Sequence, residues 1–144
     1  MTVRVNIIIN FFSAASLLFV ATACPASEHE FMGVYEGVGA YRSSQMVVSR
    51  VQGHIRVLLQ GGAPDSGPAV ADCEAVVEGV VVDGVLRGEL IPFDGEITSL
   101  NTKDILQMDT RVLISFGNGI ATVKGKFEHC GIYNALSGNY RKKS

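Results

Sequence analysis

The sequence contains no tryptophan, only four prolines and only three cysteines, and neither sign of charge dominates it. Twelve Lys and Arg residues stand against fourteen Asp and Glu residues, so the formal net charge at pH 7 is −2. A nucleic-acid partner would require a basic face, and this balance of charges gives no indication of one. The absence of tryptophan disfavours a sugar- or biotin-binding site in which an indole ring stacks on the ligand. A chain of 144 residues is long enough for a single domain and too short for two ordinary ones.

Motifs for catalysis, phosphate binding and metal binding are also missing from the sequence. No G-x-x-x-x-G-K-[ST] loop is present, and Ser137 lacks the Gly-x-Ser-x-Gly frame of a nucleophilic serine. The histidines, His29, His54 and His129, are far apart in sequence, and no Cys-x-x-Cys pair supplies the close ligands of structural zinc. If His129 and Cys130 lie on a strand, they point to opposite faces and do not share a metal. The sequence therefore predicts no enzyme, no metal site and no cofactor.

Three carboxylates, Asp72, Glu74 and Glu78, lie at even spacing along one predicted strand and therefore share one of its faces. We interpret this face as exposed to solvent, where acidic side chains keep a strand soluble. A glycosidase pair would need two carboxylates from different elements, placed across a cleft. Spacing within a single strand does not indicate such a pair.

A run without charge occupies residues 5–23 and follows a short start that carries one cation, Arg4. A charged start, an apolar stretch and an exit of small residues are typical of a secretory signal peptide. The exit reads Ala21-Thr22-Ala23-Cys24, so a cleavage site and a lipid-accepting cysteine overlap, although Ala21 stands where lipoprotein signals usually have Leu. Plain cleavage and lipidation of Cys24 both remain open. The sequence predicts export to the periplasm or cell envelope, with a lipid anchor to the membrane if Cys24 is modified.

The other two cysteines, Cys73 and Cys130, lie in the segment that is predicted to be exported. Oxidising conditions outside the cytoplasm favour a disulfide between them, and the alternative is a pair of buried free thiols. A disulfide would also prevent Cys73 from acting with His129 as a thiol–imidazole pair.

After a flexible link at 24–30, residues 31–144 are predicted to form a single β domain. The segment from Asp72 to Ile91 alternates with a period of two around Asp83-Gly84, a pair that favours a type I′ hairpin turn. Gln52-Gly53 and Gly117-Asn118-Gly119 indicate two more hairpins. Eight strands are predicted: 31–41, 45–51, 54–60, 72–82, 85–91, 111–116, 120–127 and 133–141. Their short connections and the glycines of the first strand favour an antiparallel up-and-down barrel of about eight strands, with a β-sandwich as the alternative.

Two longer connections interrupt this series of hairpins. The segment 61–68 is rich in turn-forming residues, and we predict a binding loop there at Gly61, Gly62, Pro64, Asp65 and Ser66. The segment 93–104 is longer, and Ile97 and Leu100 are expected to attach it to the core or to form a helical turn. The alternative for both segments is a plain solvated connector.

The outline of a small exported barrel with one disulfide resembles periplasmic inhibitor and immunity proteins, and also lipocalin-type carriers. The first resemblance implies a bacterial cell-envelope protein that binds a protein partner through the barrel loops, which is our leading prediction. One alternative is a carrier of a small apolar ligand, for which Gly79 and Gly88 would leave room inside the barrel. The other is a structural lipoprotein anchored to the membrane through Cys24. A filled interior favours the protein binder, and an apolar void favours the carrier.

Overall fold

The computed structural model describes residues 28–39, 44–61, 73–131 and 136–144. The predicted signal peptide at 1–23, the possible lipidation site Cys24 and most of the predicted binding loop (Gly62, Pro64, Asp65 and Ser66) lie outside the described residues. Within the described ranges, no helix has the length and apolar character needed to cross a bilayer.

Eight antiparallel strands close into a barrel in which each strand pairs with the next one along the chain and the last pairs with the first. The barrel strands are β1 (Gly33–Gly37), β2 (Gln45–Val51), β3 (His54–Gly61), β4 (Cys73–Val82), β5 (Val85–Leu90), β8 (Arg111–Gly117), β9 (Ile120–Gly125) and β10 (Gly138–Lys142). Between β5 and β8 lie a separate hairpin of β6 (Phe93–Asp94) and β7 (Ser99–Leu100) and a short helix, α1 (Thr102–Ile105). The prediction of a small up-and-down barrel is confirmed, and the sandwich alternative is wrong.

Three of the connections are two-residue turns, and all three lie at one end of the barrel. Gln52-Gly53, Asp83-Gly84 and Asn118-Gly119 each have positive φ at both residues, between 49° and 86°. This is the backbone geometry that type I′ hairpins require and that these residue types tolerate. We call this end the turn end. The other end, where β1, β3, β5 and β9 end and β2, β4, β8 and β10 begin, is the loop end.

The chain just before β1 closes the turn end of the barrel. Glu28–Phe31 forms a 3₁₀ helix, so the last part of the segment predicted to be a flexible link is ordered against the domain. The ring of Phe31, which is buried, stacks on Phe116 with centroids 4.9 Å apart, and the carbonyl of Phe31 accepts a 3.0 Å hydrogen bond from the Tyr35 hydroxyl. The ammonium of Lys142 donates to the carbonyl of Glu30.

Apolar side chains fill the interior that the described strands enclose. Many of them have no exposed surface at all, which leaves no water-sized space beside them; this group includes Met46, Val57, Leu59, Ala75, Val77, Leu86, Ile114 and Ala121. At the loop end, Leu100, Phe127 and Leu136 cover this core. A core packed in this way is typical of small barrels whose side chains meet at the axis.

Gly79 and Gly88 leave no cavity, in contrast to the expectation that they make room for a ligand. They lie directly opposite each other on β4 and β5. A Cβ atom on Gly79 would come within 2.2 Å of the Arg87 carbonyl oxygen, and one on Gly88 within 2.6 Å of a methyl carbon of Val77. The two glycines are therefore needed because the backbones approach closely and the Val77 side chain already fills the space.

Candidate functional site at the loop end

A disulfide between Cys73 and Cys130 ties the start of β4 to the connection between β9 and β10, as the sequence predicts. Cys73 is the first residue of β4, and Cys130 ends a 3₁₀ helix (Glu128–Cys130) in the connection between β9 and β10. Their Cα atoms are 5.5 Å apart, within the usual range for a disulfide. The alternative of two free thiols is therefore wrong.

The neighbouring residue, Glu74, joins a second connection, between β5 and β8, to this point. Its carboxylate accepts a 2.7 Å hydrogen bond from the Gln60 side-chain amide and a 3.2 Å hydrogen bond from the backbone N–H of Ile97. The Thr98 hydroxyl accepts from the Glu74 N–H and donates to the Glu74 carbonyl, at 3.0 and 3.2 Å. A Cβ atom on Gly95 would lie 2.0 Å from a Glu74 carboxylate oxygen, so the turn between β6 and β7 wraps directly around this side chain.

The interpretation of the Glu74 face as solvent-exposed is wrong at Glu74, which is only 3% exposed. Its side chain does point away from the barrel interior, but the β6–β7 hairpin folds over that part of β4. Burial raises the pKa of the Glu74 carboxyl, and the hydrogen bonds from Gln60 and from the backbone N–H groups of Ile97, Thr98 and Glu96 lower it further than burial raises it. The net pKa lies below the usual value of 4.5, so the hairpin is held by a carboxylate ion.

His129 also contacts this cluster. Its Nε2 atom is 2.8 Å from the Glu74 carbonyl oxygen, and since a carbonyl only accepts, Nε2 carries the proton and donates. The same atom is 3.7 Å from the Cys130 sulfur, and the edge of the Phe93 ring faces the imidazole. The expectation that His129 and Cys130 point apart is wrong, because this segment turns as a 3₁₀ helix and does not form a strand.

The ligand atoms of Cys73, His129 and Cys130 lie within 4.8 Å of one another, the spacing of a metal-binding group. Both sulfurs, however, are joined in the disulfide, and metal coordination by cysteine needs thiolates. The Nε2 atom of His129 donates its proton to a backbone carbonyl and is therefore not a ligand. In this form the cluster is a covalent and hydrogen-bonded cross-link of the loop end.

The helix α1 presents an apolar side chain to solvent from a well-anchored position. Its N-terminus has a capping box, in which the Asn101 side chain accepts from the backbone N–H of Asp104 and the Asp104 side chain accepts from that of Asn101. Ile105 and Met108 pack against the core, whereas Leu106 at the C-cap is 82% exposed. Ile97 and Leu100, the residues expected to form a helical turn or to attach the segment, lie outside this helix, which spans Thr102–Ile105.

Two more exposed apolar side chains lie on other loop-end segments. Val38 follows β1 and is 40% exposed, and Ile97 lies in the β6–β7 turn and is 47% exposed. Ile97 therefore does not attach the connection to the core, whereas the buried Leu100 does. We call Val38, Ile97 and Leu106 the apolar loop-end set. Exposed apolar residues of this kind often belong to interaction surfaces when they lie near one another on one face.

Of the predicted binding loop, only Gly61 is among the described residues, where it ends β3, is buried and pairs with Cys73.

Sequence reasoning missed Leu106, although the capping pattern Asn101-x-x-Asp104 was a usable signal for a helix start. The site is therefore described by its anchors, Cys73–Cys130 and Glu74, and by the apolar loop-end set. Comparison with known proteins adds no relative, since the chain matches no family model, no curated protein and no solved structure.

Proposed function

We propose that this chain is an exported binding protein of the bacterial cell envelope that recognises a protein partner through its loop end and has no enzymatic role. The observation that carries the proposal is Leu106, an apolar side chain that is 82% exposed on a capped helix whose neighbours pack into the core. Burying such a side chain against a partner would contribute about 1.5–3 kcal/mol. A protein surface supplies the apolar pocket that this burial needs.

The rigidity of the loop end supports binding by a preformed surface. The disulfide and the Glu74 hydrogen bonds fix two connections relative to β4, and the connection with Ile97 is one of them. Ordering loops on association costs binding free energy, and that cost is small for segments that are already held. Rigid anchors of this kind are typical of inhibitors that present a fixed surface to a partner.

The packed interior favours a protein binder over the carrier alternative. A carrier of the lipocalin type needs an internal void for its ligand. Here the side chains at the centre of the barrel, among them Leu59, Val77 and Ile114, have no exposed surface. The structural-lipoprotein alternative requires a lipid on Cys24, which intact-mass spectrometry would detect.

The binding proposal predicts that the double substitution Ile97→Asp with Leu106→Asp abolishes partner capture. Each substitution places a charge in the apolar contact, and loss of one interface anchor typically costs about 2 kcal/mol or more. The exported form would be used as bait in an envelope extract, and recovery of the captured protein is expected to fall more than tenfold. Both positions are exposed, so the melting temperature should change little.

Val80→Asp with Val82→Asp is the matched control for this experiment. The two valines are 52% and 50% exposed, so two exposed apolar side chains again become carboxylates, but both lie near the turn at Asp83-Gly84 at the opposite end. Capture should survive this double substitution. Equal loss in the control and in the Ile97 and Leu106 variant, or retention in both, would reject the loop end as the binding surface.

Export predicts that the protein recovered from the cell envelope lacks at least residues 1–23. Intact-mass spectrometry should find a chain that begins at Cys24 or shortly after it, because the uncharged run ends in Ala-Thr-Ala-Cys. A mass increase of diacylglycerol size on Cys24 would establish the lipid-anchored form. A soluble cytoplasmic pool that retains Met1 would contradict export.

A further inference from the structure

A shallow groove of about 620 Å³ crosses the outer face of β5, β8 and β9. The backbones of Gly88 and Gly125 are among its lining, and Leu113 lies in it with 41% of its surface exposed. The groove reaches the loop end at Arg111, the first residue of β8. It is therefore a feature of the barrel wall that adjoins the proposed binding surface and is separate from the apolar loop-end set.

The charge of the groove is opposite in sign to that of the whole chain. Four cations and two carboxylates line it, which gives a net charge of +2, whereas the formal charge of the chain is −2. The charged lining residues are Arg87, Arg111, Lys124, Lys126, Glu89 and Asp109. An acidic ligand would thus be attracted to this face of a protein that is acidic as a whole.

One half of the groove already holds a carboxylate that belongs to the chain. Asp109 accepts hydrogen bonds from Arg111 at 2.9 and 3.0 Å and lies 3.5 Å from the Lys126 ammonium. These cations hold the pKa of Asp109 well below its usual range. The loop-side half therefore illustrates how this wall binds a carboxylate, between the arginine that begins β8 and the lysine that follows β9.

The other half has the same pair of cation types without a carboxylate between them. Arg87, Leu113 and Lys124 are partners in one row across three strands, so the two cations flank the leucine. Their strands are about 10 Å apart, a span that two long side chains can close around one carboxylate. Within the described part of the chain, neither cation has an ion pair. The nearby Glu89 lies directly opposite Arg111 in the pairing of β5 with β8.

We infer that this half of the groove binds an acidic segment of the protein partner, with one carboxylate between Arg87 and Lys124 and an adjacent apolar side chain on Leu113. The inference rests on the proposed function for the class of partner and adds the chemistry that the partner must present. An exposed leucine between two cations without ion-pair partners matches a peptide in which acidic and apolar residues alternate. Charge complementarity of this kind steers association and selects among partners.

The probe for this inference is a blocked hexapeptide of alternating Glu and Leu, titrated into the ¹⁵N-labelled exported form and followed by amide chemical shifts. The signals of Arg87, Leu113 and Lys124 are expected to move most. The double charge reversal Arg87→Glu with Lys124→Glu should weaken binding at least tenfold. Raising the salt concentration from 0.05 to 0.5 M should also weaken binding several-fold, because the contact is exposed.

The matched control is the double reversal Lys103→Glu with Arg141→Glu, which makes the same change in net charge at exposed cations outside the groove. This control should bind the peptide as the unchanged protein does. Equal weakening in both variants, equal binding of a Gln-Leu peptide, or shifts spread over the whole surface would overturn the inference. So would binding to phosphatidylglycerol vesicles that depends on Arg87 and Lys124 while the acidic peptide moves no signal. The titration needs no natural partner, so its failure would leave the Ile97 and Leu106 experiment unaffected.

Discussion

Replacing both Cys73 and Cys130 with alanine is expected to lower the free energy of unfolding by about 4 kcal/mol, because the disulfide closes a loop with a sequence separation of 57. The cross-link restricts the conformations of the unfolded chain, and the variant without it regains them. For a domain of this size, such a loss corresponds to a fall in melting temperature of roughly 15 °C. Thermal unfolding followed by circular dichroism would measure it.

The affinity for a partner, measured well below the new melting temperature, should change little. The hydrogen bonds of Glu74 do not depend on the sulfurs, and they still hold the turn that carries Ile97. Cys24→Ala is the control, since it removes a cysteine outside the cross-link. Thiol titration of the unfolded, unreduced protein should find neither Cys73 nor Cys130 free. If both react, or if binding is lost while the melting temperature is unchanged, the disulfide does not have the structural role assigned to it.

The barrel was predictable because its determinants are local. Each hairpin turn has Gly at its second position, two of them have Asp83 or Asn118 at the first, and the strands between the turns carry a period of two. The disulfide followed from the number of cysteines and the predicted export. In contrast, β6 and β7 have two residues each, which is too few to give a period, and they were missed.

The loop end was harder to predict because its structure depends on contacts between distant segments. The alternation in β4 correctly places Glu74 away from the barrel interior, but nothing local indicates that residues 95–98 fold over it. The same limit applies to His129 and Cys130, since a three-residue 3₁₀ helix has no sequence period. The exposure of Leu106 likewise depends on which side of α1 packs against the core.

Glu74→Gln is expected to lower the free energy of unfolding by about 3 kcal/mol at pH 7. The carboxylate accepts hydrogen bonds from Gln60 and from backbone N–H groups of the β6–β7 turn while being 3% exposed. A glutamine has one acceptor oxygen, and its amide nitrogen would face donors. Leaving buried donors without partners costs about 1–3 kcal/mol for each group. Denaturant unfolding at pH 7 would measure the loss.

The effect of Glu74→Gln should also depend on pH in a defined direction. The folded-state pKa of Glu74 lies below its usual value of 4.5, so between these two values the unfolded chain binds more protons than the folded chain. The stability that the carboxylate contributes is therefore complete above about pH 4.5 and is lost as the pH falls through the folded-state pKa. The difference between the wild type and the variant should be constant near neutrality and shrink in acid. The other carboxylates titrate in both proteins, so their contribution to the pH dependence cancels in this difference.

Glu78→Gln is the matched control for both parts of this prediction. Glu78 lies on the same face of β4 and accepts a 2.7 Å hydrogen bond from Arg56, but its side chain is 28% exposed. Exposed ion pairs contribute about 0–1 kcal/mol, so this substitution should cost much less. Equal losses at the two positions, or a Glu74 difference that stays constant through acid pH, would show that the buried carboxylate does not hold the hairpin. In that case the rigidity of the Ile97 turn would need another source, and the argument for a preformed binding surface would be weakened with it.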